Sequence, residues 1–410
     1  MIVKEYIKNF ERLGFGMFVH FGLYSVLGRG EWAQFTHRIP AEEYEPLQKQ
    51  FVPDPDWAKE LALTAKRAGC KYITITARHH DGFSLFDTCG LSDYDAPHNC
   101  GRDLIREFVD ACHENGLIPF FYHTLIDWHV AEYKTDFPKY LKYLRASVEI
   151  LCKNYGKIGG IWFDGMWDRW DADWEEDALY SMMRSYQPEM MIINNTGLSE
   201  RGALGHIELD SVTFERGRPE PINLSDSPKY IASEMCQTLG SHWGFAKKEL
   251  NYKSLGTLIE DLCCCRRYGS NLLLNVGPRP DGSLRPLDKA MLEAMGEWVA
   301  INEEAIRDPR PTDIKVNENG KDFILKGSEN TYYLFVHGLA TNGDPNVSIG
   351  ISESGHTRSF DFDKEILSVK WTDSGEETEF KQENGVTTLL TKPFVYGEDL
   401  VIRVAKIICK

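Results

Sequence analysis

The run Gly160-Ile-Trp-Phe-Asp164 is apolar through both alternating faces and ends in a carboxylate. Such a run is typical of a parallel strand that is covered on both sides. Comparable runs recur along the chain before residue 308, with helical patterns between them. They are, in chain order, Gly16–Gly22, Tyr72–Ala77, Ile118–Tyr122, Met190–Asn194, Asp210–Phe214 and Asn271–Val276.

The intervening segments have apolar residues at the i, i+3, i+4 spacing of an amphipathic helix. One such stripe consists of Leu141, Leu144, Val148 and Leu151. A glycine just past the end of a helix favours a left-handed terminating residue. Glycines follow the four clearest stripes, at Gly69, Gly116, Gly156 and Gly269.

Repeated strand–helix units predict a parallel sheet. Counting a weaker strand at Ile231–Cys236, the chain offers eight strands, which favours a (β/α)8-like barrel over an open sheet. The fold class is therefore α/β. Residues 215–245 are the least regular part of the pattern, so we allow for an imperfect barrel there.

The pattern changes after Arg307-Asp-Pro-Arg-Pro311. From Ile314 onward, short alternating strands are separated by turns rich in Gly, Asn, Asp and Ser, which predicts an antiparallel β-sandwich. We expect a catalytic barrel in residues 1–308 and a β-sandwich in residues 309–410.

Composition limits the partners of the chain. The formal net charge is -16, and a surface that acidic repels nucleic acids and anionic membranes. A neutral substrate fits this charge best. Lys4, Glu5 and Lys8 interrupt any apolar leader at the start, and the scattered cysteines suit reduced thiols. These features predict a cytoplasmic protein that binds neither nucleic acid nor a membrane.

Polar and aromatic side chains cluster at the ends of the predicted strands. Active-site residues of such barrels lie at the carboxyl ends of the strands. The residues delivered there include His20, His79, His80, Tyr122, Asp164, Glu215, Glu234 and Trp243. Aromatic rings pack on the C–H faces of a sugar, while histidines and carboxylates bind its hydroxyls. Two carboxylates flanking a bond are what glycoside hydrolysis requires.

Several of these residues also have a structural interpretation. Asp164 could cap a helix, Glu215 could pair with Arg216, and Trp243 could belong to the core. His79 and His80 could bind a metal, but adjacent residues on a strand face opposite ways, which disfavours one shared ion. The sequence therefore predicts neither a metal site nor a cofactor.

Five motifs, in a fixed order, carry a family resemblance. They are Gly16-Met-Phe-Val-His20-Phe-Gly22, Gly30-Glu31-Trp32, Ala77-Arg-His79-His80-Asp-Gly-Phe83, Ile161-Trp-Phe-Asp164-Gly165 and Asn271-Leu-Leu-Leu-Asn-Val-Gly-Pro278. With them the sequence resembles the α-L-fucosidase family of glycoside hydrolases, family 29, over most of the first 308 residues.

The resemblance implies a retaining exo-α-L-fucosidase that acts by double displacement on fucosylated oligosaccharides or glycoconjugates. It places Asp164 as the nucleophile and Glu215 as the acid/base, with Glu234 as the rival acid/base. Some relatives carry an arginine that contacts the nucleophile near the position of Asn194-Asn195-Thr196-Gly197. This chain has no arginine there, and Arg216 is the candidate replacement. The implied substrate-binding residues are His20, Glu31, Trp32, His79, His80, Tyr122, Trp162, Glu234 and Trp243.

Two other functions remain open from the sequence. One is a retaining glycosidase for a related sugar, and the other is a carbohydrate-binding protein with weak turnover. A metal-dependent hydrolase or isomerase that uses the barrel histidines is a third and weaker reading. The oligomeric state also stays open.

Overall fold

The computed structural model describes residues 2–196, 198, 200–225, 227–316, 320–342 and 357–410. The chain forms two compact units. The first comprises Met1–Lys253 and Ser270–Glu293, and the second comprises Ser254–Gly269 and Ala294–Lys410. The boundary expected between residues 308 and 309 remains a prediction.

Eight parallel strands close into a barrel in the order of the chain, so the predicted fold is confirmed. The strands are β1 (Phe15–Val19), β2 (Tyr72–Arg78), β3 (Ile118–Thr124), β4 (Gly160–Asp164), β5 (Met191–Asn194), β6 (Ser211–Glu215), β7 (Ala232–Thr238) and β8 (Asn271–Val276). Five of them are buried along their whole length, as expected for strands that are apolar on both faces. In β3 only the first residue, Ile118, is exposed. In β4 and β6 only the last residue, Asp164 or Glu215, is partly exposed.

The four predicted amphipathic stripes are all helices. They span Trp57–Arg67, Leu104–Glu114, Phe137–Asn154 and Leu255–Arg267. The glycine after each has a positive φ, as a left-handed helix terminus requires. Two further long helices, which the stripes did not indicate, are Glu176–Tyr186 and Pro286–Ile301.

Shorter helices fill the connections. They are Glu5–Glu11, Tyr24–Leu27, Ala33–Thr36, Ala41–Tyr44, Ala96–Cys100, Glu132–Thr135 and Glu303–Ile306, with 3-10 turns at Glu45–Gln50 and Met166–Arg169. The described residues that connect β5 to β6 and β6 to β7 contain no helix. The barrel is therefore irregular on both sides of β6, and only the connection after β6 falls in the 215–245 region where the sequence pattern was weakest.

Aromatic and aliphatic side chains fill the barrel interior. The first helix, Glu5–Glu11, closes the end where the strands begin, because Ile7 and Phe10 belong to this core. The Phe10 ring lies 5.6 Å from the Tyr72 ring and 5.7 Å from the Phe120 ring. Because side chains fill the end of the barrel where the strands begin, the space for a pocket lies at the end where the strands finish.

The second unit contains the predicted antiparallel sheets. A five-stranded sheet has the order Ile366–Trp371, Ile402–Cys409, Thr331–His337, Phe323–Lys326 and Arg310–Lys315. A three-stranded sheet has the order Thr357–Asp361, Val386–Leu390 and Phe380–Glu383. The short pair Thr341–Asn342 and Phe394–Val395 is parallel, an exception to the prediction. Among the described residues, no helix has both the length and the hydropathy needed to cross a bilayer.

Candidate active site

A pocket of about 540 Å³ opens at the carboxyl ends of the barrel strands. Nine predicted residues line it: His20, Glu31, Trp32, His79, Tyr122, Trp162, Asp164, Glu215 and Trp243. Five residues that the sequence analysis did not place there also line it: Phe18, Trp167, Asn195, Leu198 and Cys236. The predicted residues His80 and Glu234 do not line the pocket, and they lie behind the side chains that do.

One amide group joins the two predicted catalytic carboxylates. Asn195 follows β5, and its Nδ2 lies 3.2 Å from Asp164 Oδ1 and 2.7 Å from Glu215 Oε2. These two oxygens therefore lie no farther apart than the two distances added together, about 5.9 Å. The Thr213 hydroxyl donates to Asn195 Oδ1 at 2.9 Å, which turns Nδ2 toward the carboxylates.

The two carboxylates have different surroundings. Burial, and next the neighbouring charge of Asp164, raise the pKa of Glu215 above its usual value, which favours a protonated acid. Asp164 Oδ2 accepts a hydrogen bond from the Tyr122 hydroxyl at 3.0 Å and faces His80 Nε2 at 3.6 Å. Tyr122 and His80 therefore hold Asp164 in place, while the surroundings of Glu215 favour its protonated form.

His20 lies on the pocket wall in one tautomer. Its Nδ1 is 2.6 Å from Asn275 Oδ1, and Asn275 Nδ2 donates to the Trp243 carbonyl at 2.7 Å. Because Oδ1 can only accept, His20 Nδ1 carries the proton. Burial lowers the pKa of His20 to about 3, so the ring is neutral and Nε2 remains an acceptor.

His79 and His80 take different positions. Burial lowers the pKa of His79 well below its usual value, and its buried Nδ1 has no hydrogen-bond partner among the described residues. His80 Nδ1 bonds to Thr124 Oγ1 at 2.7 Å, and burial lowers the pKa of His80 to about 4. His80 thus lies beside Asp164 rather than on the wall.

Glu31 fixes the loop that carries Trp243. Its Oε2 accepts hydrogen bonds from the backbone N–H groups of Trp243 at 3.1 Å and Gly244 at 2.8 Å. Burial raises the pKa of Glu31. Glu31 also forms part of the pocket wall.

Glu234 lies below the pocket, inside the barrel. Its carboxyl accepts hydrogen bonds from the Tyr72 hydroxyl and from Trp162 Nε1, the latter at 3.1 Å. Burial raises its pKa to about 7. Strand register explains the depth, because Glu234 pairs with Thr213 whereas Cys236 pairs with Glu215. Cys236, not Glu234, therefore occupies the level of Glu215.

Aromatic rings form an apolar wall at the base of the pocket. The Phe18 ring lies 5.3 Å from the Trp162 ring and 5.9 Å from the Trp243 ring. Phe18 precedes His20 by two residues, so both face the same side of the first strand's path.

The Arg216 guanidinium lies 5.0 Å from the Trp243 ring centroid and donates to the Ser241 carbonyl. Arg216 therefore lies against Trp243 and Ser241, and Asn195 makes the contact with Asp164.

The sequence offered partial signals for the missed residues. The alternation that brings His20 inward also predicts Phe18, and Asn195 follows a recognised strand end. Trp167 lies in the turn after Asp164 and had no periodic pattern. Among the described residues, no group of three or more His, Cys, Asp or Glu side chains could hold a metal ion.

Comparison with known proteins agrees with these motifs. The family model described as Alpha-L-fucosidase matches residues 3–304. The tissue alpha-L-fucosidase of Mus musculus is 28% identical over 345 residues, covering 76% of this chain and 73% of that protein. The tissue alpha-L-fucosidase of Rattus norvegicus is 26% identical over 361 residues, covering 80% of this chain and 76% of that protein.

Solved structures show the same architecture. Alpha-L-fucosidase isoenzyme 1 from Paenibacillus thiaminolyticus has a TM-score of 0.83 and 29% identity, covering 99% of both chains. A family 29 fucosidase from Bacteroides thetaiotaomicron, solved as a trapped covalent intermediate with 2-fluoro-fucosyl fluoride, has a TM-score of 0.80 and 21% identity, covering 99% of this chain and 96% of that one. The chain therefore belongs to the alpha-L-fucosidase family and is a glycoside hydrolase.

Proposed function

We propose that the protein is a retaining exo-α-L-fucosidase that removes terminal α-L-fucosyl groups from oligosaccharides or glycoconjugates. The observation that carries this proposal is the carboxylate pair. Retaining glycosidases have their two carboxyl groups about 5–5.5 Å apart, and inverting enzymes about 6.5–9.5 Å apart. The bound of about 5.9 Å between Asp164 Oδ1 and Glu215 Oε2 agrees with the retaining class.

In the first step, the fucosyl group enters the pocket with its anomeric carbon toward Asp164. Glu215 donates its proton to the glycosidic oxygen while Asp164 attacks the anomeric carbon, and the bond between that carbon and the leaving oxygen breaks. The products are a free aglycone alcohol and a fucosyl-aspartate ester. The raised pKa of Glu215 keeps its proton available for this transfer.

In the second step, Glu215 is a carboxylate and acts as the base. It takes a proton from a water molecule whose oxygen attacks the anomeric carbon, and the ester bond to Asp164 breaks. Two displacements at one carbon return the original configuration. Neutral His20 and His79, with Glu31, suit hydroxyl recognition because an uncharged imidazole both donates and accepts.

The substrate class follows from the pocket and the charge. Phe18, Trp162 and Trp243 offer an apolar surface for the C5 methyl group, which distinguishes fucose from a hydroxylated hexose. The charge of -16 suits a neutral glycan and disfavours nucleic acids and anionic membranes as partners. We also propose a cytoplasmic location, which the scattered cysteines suit.

The deciding experiment follows the anomer of the first-formed sugar. Proton NMR during hydrolysis of an aryl α-L-fucoside should show α-L-fucose before mutarotation, and β-L-fucose first would refute the retaining mechanism. Incubation with 2-fluoro-fucosyl fluoride, the reagent used on the Bacteroides enzyme, followed by peptide mass spectrometry should label Asp164. Hydrolysis of galactosides in preference to fucosides would refute the choice of sugar.

A further inference from the structure

Four aromatic rings continue from the pocket onto the surface of the first unit. We call them the aromatic shelf, and they are Trp32, Phe35, Trp128 and Trp167. The Trp32 ring centroid lies 5.5 Å from that of Phe35, 5.3 Å from that of Trp128 and 5.7 Å from that of Trp167. Phe35 and Trp128 stack at 5.6 Å with an interplanar angle of 25°.

The shelf connects the pocket to solvent. Trp32 and Trp167 line the pocket, whereas Phe35 is 62% exposed. Trp32, Trp128 and Trp167 are half-buried. A continuous patch of apolar surface marks a ligand-binding groove, a protein interface or a membrane contact, and the pocket that adjoins these rings favours a groove. Packing alone does not account for Phe35, because most of its ring faces water.

An exo-acting enzyme holds only the terminal sugar in its pocket, so the rest of the glycan must leave through the mouth. The sugar that is bonded to the fucosyl group therefore lies next to the rim residues. One face of a hexopyranose ring presents aliphatic C–H groups, which pack against flat aromatic rings while the hydroxyls stay hydrated. The acidic net charge of -16 favours a neutral ring over a sialylated or sulfated one.

We propose that the aromatic shelf is the subsite for the leaving group and that its occupant is a neutral hexopyranose joined to the fucosyl group. Phe35 and Trp128 form the outer floor of this subsite, and Trp32 joins it to the pocket. The inference rests on the proposed fucosidase activity and extends it to the substrate: the enzyme prefers a fucosylated sugar to a fucosyl group with no ring beyond it.

Phe35 provides the test, because it belongs to the shelf without lining the pocket. The substrates are α-L-fucosyl fluoride, whose leaving group has no ring, and disaccharides of α-L-fucose with galactose or N-acetylglucosamine. The variants are Phe35→Ala, Phe35→Leu and Phe35→Tyr. Tyr396→Ala removes a ring that is 75% exposed in the second unit and serves as the control.

We expect Phe35→Ala to lower kcat/KM for the disaccharides about threefold to tenfold, the range for one aromatic contact, and to leave the fluoride unchanged. Phe35→Leu should behave like alanine, because it keeps apolar bulk without a flat ring, and Phe35→Tyr should retain wild-type values. Tyr396→Ala should change neither substrate.

Two results would contradict the proposed subsite while leaving the retaining fucosidase reaction itself intact. One is an equal effect of Phe35→Ala on both kinds of substrate, or no effect on either. The other is a wild-type enzyme that hydrolyses the fluoride but none of the disaccharides. If the wild type hydrolyses neither the fluoride nor a disaccharide, the proposed function itself is wrong, and so is the subsite proposal that depends on it.

Discussion

Asp164 and Glu215 accept hydrogen bonds from the same nitrogen, Nδ2 of Asn195. The two carboxylates stand on β4 and β6, and the amide that joins them follows the strand between. This bridge limits how far either carboxylate can turn away from the other. It also favours the charged form of Glu215, in opposition to burial and to the charge of Asp164.

Replacing Asn195 by alanine should lower kcat/KM and shift its pH dependence. Losing the bridge loosens both carboxylates, and misplacement of about 1 Å can cost about 100-fold. The lost hydrogen bond had lowered the pKa of Glu215, so that pKa rises in the variant. Activity requires protonated Glu215 and is lost above its pKa, so the basic limb of the kcat/KM profile should move to higher pH.

The preceding asparagine supplies the control. Asn194 is fully buried, and its Nδ2 lies 3.3 Å from the Tyr180 hydroxyl. Asn194→Ala should lower the melting temperature and leave the basic limb in place. A basic limb that moves equally in both variants would contradict a specific link between Asn195 and Glu215.

Azide should separate the roles of the carboxylates by stereochemistry. In Glu215→Ala, an aryl fucoside with a good leaving group still forms the fucosyl-enzyme, and azide should release α-L-fucosyl azide with a large gain in rate. In Asp164→Gly, azide attacks the substrate directly and should give the β anomer. NMR of the isolated azides distinguishes the outcomes, and an α-azide from Glu234→Ala alone would transfer the acid/base role to Glu234.

Glu234→Gln should change how stability depends on pH. The pKa of Glu234 is about 7 in the folded protein and near ~4.3 in an unfolded chain. The folded state thus retains a proton that the unfolded state releases, and wild-type stability falls as pH rises from about 4.5 to 7. The variant lacks this loss of stability, which is on the order of 3–4 kcal/mol.

Melting temperatures of wild type and Glu234→Gln at several pH values between 5 and 8 measure this effect. The difference between them should move in favour of the variant as pH rises. Glu234→Leu is the harsher comparison, because it leaves the buried Tyr72 hydroxyl and Trp162 N–H without their acceptor at a cost of about 1–3 kcal/mol each. A constant difference across the pH range would mean that Glu234 is ionised in the folded protein.

Asn275→Leu should weaken fucose binding without a new limb in the pH profile. The substitution removes the acceptor that fixes the proton on His20 Nδ1 and the donor to the Trp243 carbonyl. We expect kcat/KM for α-L-fucosyl fluoride to fall about tenfold through misplacement of both rings. Losing the hydrogen bond to Asn275 lowers the pKa of His20 further below about 3, so His20 should not titrate near neutral pH. A new ionisation near pH 7 in the kcat/KM profile would contradict the proposed tautomer.

Most of the barrel was predictable because its strands are buried on both faces and its helices carry clear stripes. The strand ends then located His20, Asp164 and Glu215, since parallel strands meet at one edge. Depth along a strand was harder to predict. Glu234 is the third residue of β7, and two residues of strand rise by about 6.6 Å, which separates it from the level of Cys236 and the pocket.

Asn195 shows a different limit. The sequence showed only that the segment Asn194-Asn195-Thr196-Gly197 lacks the arginine that some relatives carry near the nucleophile, and Arg216 was the candidate replacement. The structure turns Arg216 toward Trp243 and Ser241 and gives the contact with Asp164 to Asn195. The choice depends on the fold of the connection after β5, for which the sequence has no periodic signal.

The arc without helices around β6 affects how this enzyme can be altered. In the described connections on both sides of Glu215, a change of loop length has no helix to displace. The connections before and after β4, the strand that ends at Asp164, contain the long helices Phe137–Asn154 and Glu176–Tyr186. Insertions there would disturb the packing of these helices. A directed-evolution library confined to residues 202–209 and 217–225 should therefore diversify the acceptor range, including transglycosylation, with little loss of folded protein.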